Sequence, residues 1–287
     1  MNDPYPFCQA PDPEPQPVSF DVPAGAVDCH AHVFGPESRY PYSPARGYTP
    51  PDALLETLLN LHRTLGGIER VVLTQPSVYG TDNTCMMDAA ASLGERCRSV
   101  VALGPDVTDS ELEALHEQGA CGVRVNLVDK GGMPFEGIDE VRRFTERIKD
   151  LGWHLEVLIH VHEFEDLRAI LNSMAVDVCV GHLGYMKTEH GLDHPGFQDF
   201  LNLLRDGNCW VKLSGSYRIA ASGLPPSKAL IGANAERVLW GTDWPHPVFR
   251  GAMPNDGALA EQLAVWAPDE ALRNRILVDN PSVLYGF

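Results

Sequence analysis

The sequence predicts one (β/α)8 barrel, a TIM barrel. Three observations carry this: eight short β-branched runs, amphipathic stretches between them, and no linker or composition break dividing the series. A length of 287 residues suits a single such barrel. Residues 1–25 read as an extended Pro-rich arm, because Pro-Asp-Pro-Glu-Pro-Gln-Pro at 11–17 sustains neither helix nor central strand, and 26–287 as the barrel. Strands are expected at 26–33, 70–75, 99–103, 122–128, 155–161, 176–181, 210–214 and 237–241. Helical periodicity falls between them, near 52–65, 82–94, 109–118, 138–151, 163–173, 195–206 and 226–234, with one or two helices after 257. Several open at Asp, Thr or Pro and close at Gly, as at Thr108 and Gly119 or Pro195 and Gly207. The segment 219–236 is short for a full crossover helix. A doubly wound open sheet is the competing arrangement, but its Gly-rich phosphate turn after the first strand is missing; that strand ends in His30-Ala-His32.

The charge narrows the partners. Lys and Arg total 22 against 39 Asp and Glu, a formal −17, the opposite of what a phosphate backbone attracts. Nucleic acid is therefore not an expected partner. With 44% hydrophobic and 21% charged residues the chain can bury a sizeable core. No apolar stretch approaches the roughly 18 residues of a membrane span, and Met1 to Ala10 lacks the basic start and apolar core of an export signal, so a cytoplasmic enzyme is expected. Seven cysteines without a C-x-x-C pair argue against a disulfide framework or a thiolate metal cluster.

Chemistry in a barrel of this kind sits at the C-terminal strand ends. The first strand ends Asp28-Cys-His30-Ala-His32, where a period of two puts Asp28, His30 and His32 on one face and aims two imidazoles into the mouth as a divalent-metal half-site. A pair of hydrogen-bonded core histidines is the plainer reading of His-x-His alone. The sixth strand ends at His182 and the eighth at Asp243, a carboxylate able to take a proton from water or to ligate a metal, or else simply to cap a turn. His160 on the fifth strand, sharing a parity with Glu156 and Leu158, is a weaker candidate for the same ligand set, with the start of the following helix as its alternative, and His162 weaker still. His62, His116, His154, His190, His194 and His246 lack such placement and read mostly as surface or structural. On the fourth strand Arg124 and Asn126 alternate with valines and should face inward. An inward Arg needs an anion, either a structural carboxylate such as Glu156 or that of a ligand. Arg218 and Lys130 follow strands seven and four and add positive charge at the same mouth.

Beyond these residues, Gln75-Pro-Ser-Val-Tyr-Gly-Thr-Asp-Asn83, Gly181-His-Leu-Gly184 and Trp240-Gly-Thr-Asp-Trp-Pro-His-Pro247 give the chain a specific likeness. It resembles the amidohydrolase superfamily, in the branch of 2-pyrone-4,6-dicarboxylate lactonases and related sugar-acid lactonases, over nearly its whole length. The resemblance implies His30, His32, His182 and Asp243 as the catalytic set, hydrolysis of a cyclic ester, and a small anionic lactone as substrate. It implies Arg124 and Arg218 as carboxylate binders and Tyr48 and Ser77 as polar contacts. Members of the superfamily include both zinc or manganese enzymes, which would use His30, His32, His182 and Asp243 as ligands, and dicarboxylate lactonases that work without a metal. Lys130 and Tyr185 stand where the dicarboxylate lactonase pattern carries arginines, which points away from the pyrone dicarboxylate and towards one carboxylate or a hydroxylated ring. A lactone isomerase or a metal-dependent decarboxylase would use the same residues, and a non-catalytic binding barrel has no need of a carboxylate beside three histidines.

Overall fold

A computed structural model describes residues 5–128, 133–219 and 224–287. Eight parallel strands stand in sequential order around a barrel. They are β1 (Val27–Ala31), β2 (Arg70–Thr74), β3 (Cys97–Val101), β4 (Ala120–Asn126), β5 (His154–Leu158), β6 (Val178–Val180), β7 (Cys209–Leu213) and β8 (Val238–Trp240). Between them run α1 (Leu55–Thr64), α2 (Thr84–Leu93), α3 (Asp109–Glu117), α4 (Ile138–Ile148), α5 (Leu167–Asn172) and α6 (Pro195–Arg205). A short α7 (Ser216–Ile219) and α8 (Leu224–Ala233) follow β7, and α9 (Asp256–Trp266), α10 (Glu270–Asn274) and α11 (Asn280–Tyr285) follow β8. The helix expected near 226–234, within a segment short for a full crossover, is α8, ten residues long. Its Pro225-Pro226 pair sits in the first helical turn, where proline lacks no bond the helix would use.

Local signals explain several boundaries. Thr108 caps α3 through Glu111 N–H while the Glu111 carboxylate accepts the Thr108 N–H, a reciprocal box. α6 opens at Pro195 with His194 as its cap. The strand expectations run two residues late at β3 and β4, because Cys97 already pairs with Val71 and Ala120 with Ser99. None of the seven cysteines forms a disulfide among the described residues. No described helix is long and apolar enough to cross a membrane.

The outer core lies between sheet and helices, and a smaller inner cluster of Val27, Cys29, Val72, Val100, Cys179, Trp210, Leu239 and Tyr285 fills the lower barrel. The register between β1 and β2 shifts between Asp28 and Ala31. That bulge breaks the period of two, so Asp28 does not share a face with His30. The Asp28 carboxylate instead accepts from His62 of α1 (3.0 Å) and from the Thr242 N–H (2.9 Å) and hydroxyl (2.7 Å), fastening β1 to the exit of β8. The seam continues with Asp243 N–H donating to His30 O (2.8 Å) and His32 N–H to Trp244 O (2.8 Å). Closing the barrel is thus the same act as setting Asp243 beside His30. Residues 5–25 pass outside: Phe7 bridges Thr49, Gln16 N–H donates to Asn255 Oδ1 (3.0 Å) and Ser19 N–H to Glu261 (2.7 Å).

His154 enters the barrel floor fully buried, its Nδ1 2.9 Å from Cys121 O and its ring edge-on to Tyr285. Burial holds its pKa down at about 4. The unfolded chain binds a proton below about pH 6.5 while the native state does not. Stability therefore falls by roughly 1.4 kcal/mol per pH unit for this group as pH drops from about 6.5 towards 4. His154→Gln is expected to flatten the slope of unfolding free energy against pH by about that amount between pH 6 and 5; an unchanged slope would show that His154 is protonated in the native state.

Candidate active site

Three side chains from three strand ends converge at the mouth. His30 Nε2 lies 3.8 Å from Asp243 Oδ1 and His182 Nε2 lies 3.5 Å from the same oxygen. The His30 and His182 rings meet edge-on, 4.7 Å between centroids. The backbone is bent to bring them there: His182 (φ 47°) and Asp243 (φ 63°) both occupy the left-handed region that non-glycine residues seldom adopt. Gly215 after β7, at φ +64°, leaves space for the imidazole, since a Cβ there would stand 2.9 Å from His182 Nδ1.

Each group is held from behind. His182 Nδ1 is 2.8 Å from Ser214 Oγ, and His30 Nδ1 is 3.3 Å from both Glu156 Oε1 and Lys212 Nζ. Lys212 itself donates to Glu156 in a fully buried pair. With the imidazole protons on the two Nδ1 atoms, both Nε2 lone pairs face Asp243. Asp243 Oδ2 accepts from Tyr217 OH and from Arg218 Nε (2.7 Å), whereas Asp243 Oδ1 and His30 Nε2 have no hydrogen-bond partner among the described residues. A buried oxygen and nitrogen that both offer lone pairs to the same point need a cation, a proton or a water between them. The set of two imidazole nitrogens and one carboxylate oxygen fits a divalent ion with an open position, as catalytic zinc sites keep.

His32 stands beside this triad and not within it. Its Nδ1 is held 2.6 Å from Thr74 O and its ring meets His30 edge-on; an Nδ1–H donated to that carbonyl leaves Nε2 as its free ligand atom, while the tight cluster comprises His30, His182 and Asp243. The expected place of His160 on the fifth strand is corrected: β5 ends at Leu158, and His160 opens the 3-10 turn Val161–Glu163, where it groups with His162 and Glu163.

The electrostatics keep the histidines neutral and the carboxylates charged. Burial, reinforced by Lys212, lowers His30 to about 4; burial, reinforced by Arg124, lowers His32 to about 3; burial also takes His182 well down against the pull of Asp243. Burial would raise Asp243, but the Arg218 guanidinium beside it outweighs burial and holds the carboxyl well below its usual range. Glu156 is held down in the same way, chiefly by Lys212.

The triad opens on a cavity of about 300 Å3 walled by His32, Tyr48, Ser77, Arg124, Arg218 and Tyr185. His30 sits one layer deeper. Arg124 donates from Nη1 to Gln75 O (2.7 Å), and its buried Nε has no acceptor among the described residues. Glu156, the structural carboxylate considered for Arg124, belongs to Lys212 and His30. Arg218 is already engaged, by Asp243 and by Pro247 O (2.9 Å). Asn126 lines a neighbouring recess that shares Ser77 and Arg124. Lys130 lies outside the described residues.

Sequence reasoning missed the chain behind Asp243. Tyr217 OH also lies 3.0 Å from His246 Nδ1, and His246 Nε2 lies 3.0 Å from Asp256 Oδ1, all of them buried or nearly so. The signal available was His246 itself, three residues after Asp243 in the same turn.

A family model described as amidohydrolase matches residues 27–287. The chain belongs to the amidohydrolase family. It is 36% identical over 289 residues to a 4-sulfomuconolactone hydrolase of Hydrogenophaga intermedia, covering 98% of this chain and 95% of that protein. It is 36% identical over 286 residues to a 2-pyrone-4,6-dicarboxylate hydrolase of Comamonas testosteroni, covering 94% and 93%. Among solved structures it resembles one from Acinetobacter baumannii, described as a 2-pyrone-4,6-dicarboxylic acid hydrolase with citric acid bound, with a TM-score of 0.81, 26% identity and coverage of 92% of this chain and 100% of that one. The amidohydrolase barrel therefore stands on sequence, geometry and relatives together.

Proposed function

We propose that this amidohydrolase hydrolyses a small lactone bearing a carboxylate or comparable anionic group, with the barrel of 26–287 carrying the reaction and the arm of 1–25 taking no part. The observation that carries the reading is Asp243 Oδ1, buried, ionised and unpartnered, at the wall of a cavity that also presents Arg124. The substrates for which these relatives are named, a sulfonated muconolactone and a pyrone dicarboxylate, are anionic lactones, and both support it.

In this mechanism Arg124 holds the anionic group through the edge that Gln75 leaves free, with Tyr48, Ser77 and Asn126 supplying hydrogen bonds and Lys130 and Arg218 further positive charge. Arg218 and Tyr217 fix the Asp243 carboxylate so that Oδ1 faces the attacking water and takes its proton. The proton that Asp243 takes from the water passes to the ring oxygen as its bond to the carbonyl carbon breaks, while His32 and His182, neutral and at the cavity wall, flank the reacting ring. A zinc or manganese ion held by His30, His182 and Asp243, with His32 alongside, would supply Lewis-acid polarisation of the carbonyl when bound.

The test is a panel of pyrone carboxylates, muconolactones and aldonolactones followed by proton release on ring opening. Hydrolysis of an anionic lactone is expected. Consumption of a lactone without net proton release would make the protein an isomerase, and no turnover of any lactone would overturn the reading. On the best substrate Arg124→Met is expected to raise KM by about 10- to 150-fold, the equivalent of the roughly 1.5–3 kcal/mol of a charged hydrogen bond, with kcat changed far less. An unchanged KM would remove Arg124 from substrate binding.

A further inference from the structure

A second group of imidazoles lies on the β5 and β6 connections, outside the site above. His160, His162 and Glu163 each bring one ligand atom to within 4.8 Å of the others. The Nδ1 atoms of His160 and His162 are shielded from solvent and have no hydrogen-bond partner among the described residues. Such orphaned ring nitrogens cost on the order of 1–3 kcal/mol each unless something binds them.

The surroundings hold these rings in place. His190 stacks on His162 with centroids 4.1 Å apart and planes inclined by 29°, covering the face and leaving the in-plane lone pair free. His194 stands edge-on to His162 and spends its own Nδ1 accepting the Gly196 N–H (3.2 Å), so it serves as a wall and helix cap. Behind the turn, α6 presses so close that a Cβ on Gly196 would sit 2.4 Å from Val161 O and 3.0 Å from His162 Cα. The backbone carrying His162 and Glu163 is therefore fixed by the packing of a helix start.

We propose that His160, His162 and Glu163 form a second divalent-cation site, distinct from the His30–His182–Asp243 centre, for an imidazole-seeking ion of the zinc class. Two nitrogens and one carboxylate oxygen suit that class better than magnesium or calcium, which prefer oxygen throughout. The site is one aromatic ring from the substrate cavity: the Tyr185 ring lies 5.1 Å from His160 and 5.6 Å from His182. An ion there ties the β5 turn to the wall of the cavity without touching the reacting atoms.

Zn2+ titration of the chelator-stripped full chain by calorimetry, with metal content measured after desalting, tests this. A His30→Ala/His182→Ala variant, which lacks the first centre, is expected to keep one equivalent of Zn2+. Adding His162→Gln should abolish that equivalent or weaken it by more than the roughly 10- to 100-fold that loss of an outer-shell partner costs. Thermal unfolding and circular dichroism of each variant verify folding, and His160→Gln in the same background provides an independent loss of the same equivalent. The proposal falls if the His30→Ala/His182→Ala protein binds no Zn2+, or if its one equivalent survives both His162→Gln and His160→Gln with unchanged affinity.

Discussion

Asp243→Asn is expected to lower kcat by about 10²- to 10⁴-fold, the span that general-base assistance contributes, while the barrel stays folded. The asparagine oxygen can still accept from Tyr217 and Arg218, so the turn after β8 keeps its hydrogen bonds. The amide that replaces Oδ1 cannot take a proton. Steady-state kinetics beside circular dichroism separate the two effects, and a kcat within tenfold of the parent would assign proton removal to another group. Because Arg218 holds Asp243 ionised well below the usual carboxylate range, the parent should show no loss of activity from this group on acidifying through pH 5.

Lys212→Met should destabilise the fold by about 3–5 kcal/mol, the cost of removing one partner from a buried ion pair. Lys212 is wholly inaccessible, donates to Glu156, approaches His30 Nδ1 and lies 5.8 Å from the Tyr285 ring centre. Without it the Glu156 charge remains in the barrel interior with His30 as its nearest partner. Denaturant titration gives the loss directly, and a change under about 1 kcal/mol would mean that the interior is wetter than the burial indicates. Lys212→Met/Glu156→Gln should recover part of the loss, since both charges are then gone. The pH dependence has a definite sign: the folded pKa of Glu156 is depressed, so its contribution is present above the unfolded value near 4.5 and is lost as pH falls through the lower folded value.

The barrel was legible because its strands are written locally, as β-branched runs such as Arg70-Val-Val-Leu-Thr74, and because caps and glycines punctuate the helices. His30, His182 and Asp243 were legible because a polar residue ending an apolar strand is visible without knowing the fold. What escaped depends on contacts distant in sequence. The β1 bulge, which turns Asp28 away to His62 and Thr242, is a property of the seam with β8. Lys212 and Glu156 are 56 residues apart, and a lysine in Trp-Val-Lys-Leu does not announce which way it points or what it meets. His160 was misassigned by counting strand residues two too far, since its neighbour Leu158 already ends β5.

The Tyr285 ring belongs to the last helix, yet it completes the inner cluster shared by β1, β2, β3, β6, β7 and β8 and rests against His154 and Lys212. Val27 and Tyr285 lie near opposite ends of the described chain, so this cluster closes only through contacts of very long sequence separation. Docking of the Tyr285 helix on the floor and closure of the seam beside Asp243 are accordingly both steps of high contact order.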